Sequence, residues 1–251
     1  MKNIPTAIIR PPIVTPSIEE PVPGWVDTLN GPAGLLMAAS IGVLRTSDWR
    51  YDIEPDGMPV DLISNAILSI GWYISLQSKP LGIYNITWRN LNRSFDYPDG
   101  HILFKLAIDA YLKAPYSLAF RPVFQPERIN LKSKVRYALE KFFYHFIIAF
   151  LIDTFISCFG YKRMLVNYVK RMHYALDIMK YFGTRQWVIK VDNTLQVLDA
   201  MTELDRKLFE FDGRSYTDQS YIADVFWMGA RRYLLKDDDS TIPVAKVKYL
   251  M

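Results

Sequence analysis

Residues 6–14 of the chain have the sequence TAIIRPPIV. β-Branched and apolar residues dominate this run, so it predicts a short strand. Pro11 and Pro12 interrupt the run, because proline cannot donate to a strand ladder. A second run of the same character, GIYNIT, begins at Gly82 and ends at Thr87. These two runs decide the fold class, because they carry the convincing strand signals of the sequence.

A helix is predicted between the two strands. Apolar residues recur at helical spacing from Leu62 to Trp72, and Asp61 directly precedes them, so we interpret Asp61 as the N-cap. The order strand, loop, helix, strand predicts one part of a doubly wound α/β domain. The loop from Thr15 to Gly34 is rich in proline and glycine, and loops of that length in compact domains are usually functional or lid-like.

The second half of the chain has a different character. From about Leu103 onward the sequence shows long helical patterns and no further convincing strand. The helices are predicted over residues 131–159, 162–179, 193–201 and 218–235. The predicted fold class is therefore α/β followed by an all-α part.

Composition excludes several classes of protein. The 251 residues carry 30 Lys and Arg against 26 Asp and Glu, and a net charge of +4 is too small to predict a nucleic-acid partner. The single cysteine, Cys158, excludes an internal disulfide framework. The three histidines have no second ligand at metal spacing, so no metal site is expected. The N-terminus lacks the apolar region of a signal peptide, so we expect the chain to stay on the cytosolic side.

Three blocks of sequence carry a family resemblance. The first and most specific is IIRPPIV at residues 8–14, running into EPVPGWVDTLNGPAG at residues 20–34. The second is PVD at residues 59–61 with the helix behind it, followed by IYN at residues 83–85. The third extends over the helical half, from residue 145 to residue 236.

These blocks resemble the fatty acyl-CoA reductase family, also known as the male-sterility family, and particularly its insect members. The third block contains MHYALD at residues 172–177 and LDRKLFEFD at residues 204–212, which fit two recognisable stretches of the family's C-terminal helical domain. Two departures stand out. Ile148 lies where the family usually has proline, and the segment between Asn85 and Trp88 is shortened.

The resemblance implies how the chain is divided. Residues 1–95 would form the C-terminal fragment of an extended short-chain dehydrogenase Rossmann domain, and residues 96–143 a linker and helical connection. Residues 144–236 would form the helical C-terminal domain, and residues 237–251 a tail. We therefore expect the C-terminal portion of a fatty acyl-CoA reductase.

The resemblance also implies an activity, which is the reduction of long-chain acyl-CoA by NADPH to a fatty alcohol and CoA, as in wax biosynthesis. The family holds NADPH with a Gly-x-x-Gly-x-x-Gly turn and uses a tyrosine with a lysine four residues later. The glycine pattern is absent from the 251 residues, and the one Tyr-x-x-x-Lys, Tyr137 and Lys141, lies after the strands that it would have to precede. We therefore name no catalytic residue and expect a truncated chain that is inactive alone and does not bind NADPH tightly.

Contacts to cofactor and substrate follow from the same resemblance. Three residues would contact the nicotinamide cofactor through their backbone, with a buried strand end as the alternative: Pro12, Ile13 and Val14. Three residues would line the acyl entrance, with a structural lid as the alternative: Trp25, Asn30 and Gly31.

The most hydrophobic window, residues 142–159, reaches about the length that a bilayer requires. Spanning would bury Asp153 at a cost of roughly 2.5–3.5 kcal/mol on insertion scales. A core or membrane-surface helix is therefore favoured over a transmembrane segment near residues 142–160. His145 shares a helical face with Asp153, and a buried hydrogen-bonded pair is favoured over a catalytic one.

The expected location is the cytosolic face of an intracellular membrane, either the endoplasmic reticulum or the peroxisome. The expected partners are long-chain acyl-CoA, the membrane surface and a second copy in a homodimer. A different class of function stays open, namely a non-catalytic, membrane-associated protein that binds acyl chains or dimerises with the full-length enzyme. An open reading frame upstream of Met1 that carries both missing motifs would favour the reductase.

Overall fold

The structure is a computed structural model that describes residues 4–28, 31, 34, 37–38, 43–48, 56–77, 81–87, 91, 133–185, 187–213 and 221–243. The chain forms two compact units. Unit 1 comprises Met1–Thr28, Pro55–Ala110 and Trp187–Asp237, and unit 2 comprises Leu29–Glu54, Tyr111–Gln186 and Asp238–Met251. Each unit is therefore assembled from segments that lie far apart in sequence.

The described residues of unit 1 form two pairs of parallel strands. Strand β1 (Thr6–Arg10) pairs with β4 (Leu81–Asn85). Strand β2 (Ile13–Thr15) pairs with β3 (Gly57–Pro59). The β1–β4 pair has the parallel arrangement expected from the sequence. The β2–β3 pair is a finding of the structure, because strands of three residues carry too little periodicity to be predicted.

Helix α1 (Val60–Ser75) connects β3 to β4 and packs against β1. It buries one apolar stripe, which includes Leu62, Ala66 and Ile70, because residues four apart share a helical face. The interpretation of Asp61 as the N-cap is wrong. Pro59 holds that position without a side-chain hydrogen bond, and Asp61 lies in the first turn of the helix.

The described part of unit 2 is dominated by two helices. Helix α2 runs over Lys134–Cys158 and helix α3 over Leu165–Gly183, within four residues of the predicted bounds at every end. The middle of α2, Lys141–Ile147, is a π-helical turn between the α-helical segments Lys134–Glu140 and Ile148–Cys158. Gly160 follows α2 with a φ of 81°, a conformation that glycine adopts without strain.

Three further helices belong to unit 1. Helix α4 spans Asp192–Ala200, and α5 spans Glu203–Leu208. Helix α6 covers residues 221–234 and consists of π-helical turns, Tyr221–Phe226 and Ala230–Leu234, on either side of Trp227–Gly229. In unit 2, a short 3₁₀ helix covers Asp239–Thr241. The sequence predicts α4 and α6 and misses the short α5. These helices share a compact unit with the strands, whereas α2 and α3 lie in the other unit.

The start of α4 lies along the edge of β4. The side-chain amide of Asn193 donates to the carbonyl oxygen of Ile83 at 2.8 Å, and the hydroxyl of Thr194 donates to the carbonyl oxygen of Asn85 at 2.6 Å. The side-chain amide of Asn85 donates to the carbonyl oxygen of Lys190 at 2.8 Å. The outer edge of β4 is thus covered by polar groups from a segment more than 100 residues away in sequence.

Candidate functional site at the carboxyl ends of the parallel strands

The carboxyl ends of β1 and β4 lie at the same edge of unit 1. β1 ends at Arg10 and β4 at Asn85, and the two residues are paired in register. The N–H of Ile86 extends the pairing by donating to the carbonyl oxygen of Arg10 at 3.0 Å. Parallel α/β sheets bind their ligands outside the carboxyl ends of the strands. This edge is therefore the candidate site.

The residues predicted to contact the cofactor directly follow β1 at this edge. Pro12 and Ile13 are half-buried, and Val14 exposes 51% of its surface. The N–H of Ile13 is engaged, because it donates to the carbonyl oxygen of Asp56 at 3.0 Å. Ile13 and Val14 thus lie in β2, but Val14 is exposed and so is not part of a buried strand end. Cofactor contact by these residues stays a prediction.

Residues 17–25 form a closed loop next to this edge. Ser17 closes it, because its N–H donates to the carbonyl oxygen of Trp25 at 3.1 Å and its carbonyl oxygen accepts from the N–H of Gly24 at 2.9 Å. The hydroxyl of Ser17 also donates to the carbonyl oxygen of Val22 at 2.7 Å and accepts from the N–H of Trp25 at 3.0 Å. One buried serine therefore holds both ends of the loop together.

Asp61 holds the front of the same loop. Its carboxylate accepts hydrogen bonds of 2.9–3.1 Å from three consecutive backbone N–H groups, those of Ile18, Glu19 and Glu20. Successive N–H groups that point to one place form a concavity that suits an anion, and here the anion is a side chain of the protein. The function of Asp61 is thus to fix the loop from the first turn of α1.

Helix α6 holds the back of the loop. The hydroxyl of Tyr221 donates to the carbonyl oxygen of Pro16 at 2.6 Å and lies 3.0 Å from the hydroxyl of Thr15. Gly24 and Gly229 touch through their backbones, and a Cβ at Gly24 would lie 2.6 Å from the Cα of Gly229. Gly24 also has a φ of 77°, so glycine is required there both for its backbone conformation and for the close contact with Gly229. The loop is fastened on both sides rather than hinged.

The residues predicted to line the acyl entrance are divided between the two units. Trp25 belongs to unit 1, where its side chain is exposed at the end of the loop. Gly31 belongs to unit 2 and has a φ of 71°. Asn30 lies outside the described residues. A role in binding the acyl chain stays a prediction for all three.

Comparison with known proteins identifies the family. Two family models, both described as male sterility protein, match residues 1–67 and 144–237, and the first of these is the NAD-binding part. Together they match more than half of the chain. The chain belongs to the fatty acyl-CoA reductase family. An NAD-binding domain implies a nicotinamide cofactor, and the family is one of oxidoreductases.

Curated relatives of this family align along almost the whole chain. Fatty acyl-CoA reductase 1 of Xenopus laevis is 31% identical over 248 residues, which are 96% of this chain and 45% of the relative. Fatty acyl-CoA reductase 2 of Mus musculus is 32% identical over 246 residues, which are 97% of this chain and 46% of the relative. The chain thus spans a little under half the length of these reductases.

Two polar side chains hold the loop of this reductase-family chain. The Asp61 carboxylate binds three N–H groups, and the Tyr221 hydroxyl donates to Pro16. Binding of a cofactor and an acyl group at this edge stays a prediction.

The surroundings of the one Tyr-x-x-x-Lys of the chain, Tyr137 and Lys141, disfavour release of a proton from the tyrosine. The ammonium group of Lys141 lies 5.9 Å from the centre of the Tyr137 ring. Burial raises the pKa of Tyr137, and the carboxylates of Asp48 and Asp177 raise it further. A tyrosine that donates a proton is favoured by the opposite shift, because a lower pKa makes it a better proton donor. That Tyr137 and Lys141 have no catalytic function stays a prediction.

The expected pair of His145 and Asp153 is corrected by the structure. Both side chains are buried and hydrogen-bonded, but not to each other. Asp153 accepts from the N–H groups of Met164, Leu165 and Val166, each at 3.0 Å. His145 instead bonds to His173 on α3. A shared face on one helix could not reveal either partner, because both lie on the next segment of chain.

Proposed function

We propose that this chain forms the ligand edge and the helical domain of an NADPH-dependent fatty acyl-CoA reductase, which converts long-chain acyl-CoA to a fatty alcohol and CoA. Family membership and the reductase names of the aligned relatives support this activity. The chain also lacks the glycine turn and a suitable tyrosine–lysine pair. We therefore propose that the 251 residues have no reductase activity by themselves.

The structural observation that supports this proposal is the exposed apolar face of the β1–β4 pair. Ile8, Leu81 and Ile83 lie on one face of the pair and are exposed, although all three are apolar. Parallel sheets normally have both faces and both edges covered. Within the described residues β1 pairs only with β4, so its other edge is open to a further strand. This arrangement fits the end of a larger Rossmann sheet.

In the proposed reductase, the nicotinamide supplies hydride to the acyl carbon of the thioester. Residues 12–14 would orient the cofactor at the carboxyl end of β1, and the fastened loop would keep Trp25 beside the acyl group. The glycine turn and the tyrosine–lysine pair would come from strands that extend the sheet beyond β1. In this proposal the 251 residues supply contacts to the cofactor and the acyl group, and the further strands supply the proton donor.

The test begins with the transcript upstream of Met1. We expect an open frame that encodes both missing motifs, and the extended protein should reduce a long-chain acyl-CoA with consumption of NADPH. The 251-residue chain should show no measurable NADPH binding by calorimetry. An extended frame without either motif would favour the non-catalytic acyl-binding protein, and micromolar NADPH binding by the short chain would contradict the proposed division.

We further propose that unit 2 contacts a membrane through α2. The side of α2 that faces the protein carries two buried polar side chains, those of His145 and Asp153, with the small Ala149 between them. The outward side is apolar, and Leu151 and Phe155 expose 59% and 65% of their surfaces. This is the reverse of a helix that faces water, and exposed apolar patches of this kind mark membrane or protein contacts. Lys162 and Arg163 lie just beyond the end of α2, after Tyr161, and suit an anionic lipid surface.

The helix is long and apolar enough to cross a bilayer, and only 17% of its most apolar window is buried. Its hydrogen bonds favour contact with the surface instead. His145 and Asp153 bind groups on α3 and the segment before it, so a spanning α2 would have to carry these partners into the bilayer. We therefore propose a helix that lies on the cytosolic face of the endoplasmic reticulum or the peroxisome.

Vesicle flotation tests the membrane contact. Replacing Phe143, Leu151 and Phe155 with serine should abolish flotation with vesicles that contain phosphatidylserine, because these side chains are exposed and their loss costs little packing. Replacing Leu204 and Leu208, which are equally exposed on α5, is the matched control and should leave flotation unchanged. Equal flotation of both variants would exclude α2 as the contact.

A further inference from the structure

Two buried histidines form a continuous hydrogen-bonded chain in unit 2. His145 lies in the π-helical turn of α2 and His173 in α3, and they expose 2% and 3% of their surfaces. The Nδ1 of His145 lies 2.8 Å from the Nε2 of His173. The backbone N–H of Arg45 donates to the Nε2 of His145 at 2.8 Å. The chain therefore links the segment 43–48 to both helices.

The direction of each hydrogen bond fixes the protons. Because the N–H of Arg45 can only donate, the Nε2 of His145 must accept, and the proton of that ring lies on Nδ1. His145 therefore donates to the Nε2 of His173, whose own proton lies on Nδ1. That Nδ1 is buried and has no hydrogen-bond partner among the described residues. Both hydrogen bonds, from Arg45 to His145 and from His145 to His173, can form only when both rings are neutral.

An added proton breaks this chain wherever it binds. On His173 it would occupy Nε2 and point at the N–H of His145. On His145 it would occupy Nε2 and point at the N–H of Arg45. Either site replaces one hydrogen bond with two facing donors and places a charge in a buried position. Phe146 stacks on the His173 ring at 5.6 Å and offers no acceptor.

The charged groups around the pair oppose protonation or are already engaged. The cations of Arg45 and Lys141 act on His145, and Lys141 also acts on His173. Burial, followed by these charges, lowers the pKa of His145 to about 3 and that of His173 to about 4.

The carboxylates on the same three segments have other partners. Glu140 of α2 accepts from the hydroxyl of Thr46 at 3.1 Å and pairs with Arg136 at 2.9 Å. Asp48 pairs with Lys180 of α3. Asp177 of α3 is exposed, and its charge acts on Tyr137. Glu140 and Asp48 thus fasten the segment to α2 and α3.

We propose that His145 and His173 form an acid-sensitive lock, which holds residues 43–48 against α2 and α3 while both rings are neutral and releases them when either ring is protonated. The segment has much to release, because Leu44, Thr46 and Ser47 are buried. Acid would therefore expose a surface of unit 2 that is covered at neutral pH.

The pH range follows from linkage. In the open state each histidine titrates near its ordinary pKa of about 6.5, whereas the closed state takes up protons only at lower pH. The closed state is therefore fully favoured above about pH 6.5 and loses stability as the pH falls below it. Each linked proton changes the closing equilibrium about tenfold per pH unit, so two protons change it by up to about 100-fold.

Hydrogen exchange on the full chain tests the lock between pH 7.5 and pH 5, where most carboxylates stay ionised. After correction for the intrinsic exchange rate, protection of residues 43–48 should fall at least about tenfold per pH unit below pH 6.5. His145→Gln keeps an acceptor for Arg45 and a donor for His173, so it should stay protected and show about half the pH slope. His101→Gln, which removes the third histidine, should keep the full slope.

Wild-type slopes in His145→Gln, or a slope lost in His101→Gln, would overturn the proposal. A second measurement covers the case in which the variant does not fold. Long-range proton–nitrogen spectra of ¹⁵N-histidine wild-type protein should show two neutral rings with the proton on Nδ1 at pH 7.5. The opposite tautomer in either ring, or a charged ring at that pH, would contradict the lock.

Discussion

Two buried aspartates perform the same task in the two units, but over very different distances. Asp61 in unit 1 and Asp153 in unit 2 each accept hydrogen bonds from three consecutive backbone N–H groups. The groups bound by Asp153 begin 11 residues away and form the first turn of α3. Those bound by Asp61 begin 43 residues away and belong to an irregular loop.

The comparison indicates that the backbone bound by the carboxylate depends on it more in unit 1 than in unit 2. A helix N-terminus has unpaired N–H groups whose dipole attracts an anion, and the remaining turns of the helix keep those groups aligned. An irregular loop has no such support, so its N–H groups depend on the carboxylate and on other distant contacts. We therefore expect the loop in unit 1 to be the more sensitive of the two.

The largest effect is expected from Asp61→Ala. The change leaves three N–H groups of the loop without their acceptor and should lower the free energy of unfolding of unit 1 by about 4 kcal/mol. Urea denaturation gives the magnitude, and hydrogen exchange of residues 17–25 should locate the loss in the loop. A smaller loss of stability than for Asp153→Ala would break the comparison.

Gly229→Ala should have the next largest effect. Its Cβ would collide with the backbone of Gly24, which cannot move aside as a flexible side chain could, so a loss of about 2–3 kcal/mol is expected. Gly71→Ala is the matched control. Gly71 also lies in a helix but has nothing within 4 Å of its Cβ position, so alanine should be neutral or stabilise by up to about 1 kcal/mol. Equal unfolding midpoints of the two variants would show that the loop is not held by α6.

The smallest effect is expected from Asp153→Asn. An asparagine oxygen in the place of Oδ1 still accepts from Met164 and Leu165, and only Val166 loses its acceptor at Oδ2. The midpoint of thermal unfolding should therefore fall by roughly 2–4 °C, which corresponds to one lost hydrogen bond in a chain of this size. A collapse of α3, seen as a large loss of helical circular dichroism, would mean that the local support of the helix has been overestimated.

The elements were predictable from the sequence where a repeating pattern defines them. Residues 6–10 and 81–85 are strands, and α1 to α4 and α6 follow helical periodicity. The partners of single polar residues were not predictable, because they depend on which segments meet in space. Asp61 shows this, since a carboxylate before an apolar helix looks the same whether it caps that helix or binds a loop 43 residues away.

The same reason explains what the sequence missed in the candidate site and in unit 2. Tyr221 and Gly229 hold the loop from the far end of unit 1, and no spacing connects them to residues 15–24. His173 could have been suspected, because a histidine on a helix next to His145 was visible in the sequence. The π-helical turn of α2 leaves no such signal, since its composition is that of an ordinary apolar helix.

The polar groups on the outer edge of β4 determine at which edge of the sheet further strands can pair. A bare strand edge can recruit any exposed strand, including one from another molecule, and so promotes aggregation. Asn193 and Thr194 occupy the acceptors that such a strand would need, so additional strands can join only beside β1. Producing residues 1–95, which contain β1 to β4, without the segment around residue 193 would remove this protection. The fragment would then have two strand edges with unpaired backbone groups, and we expect it to precipitate where the longer chain does not.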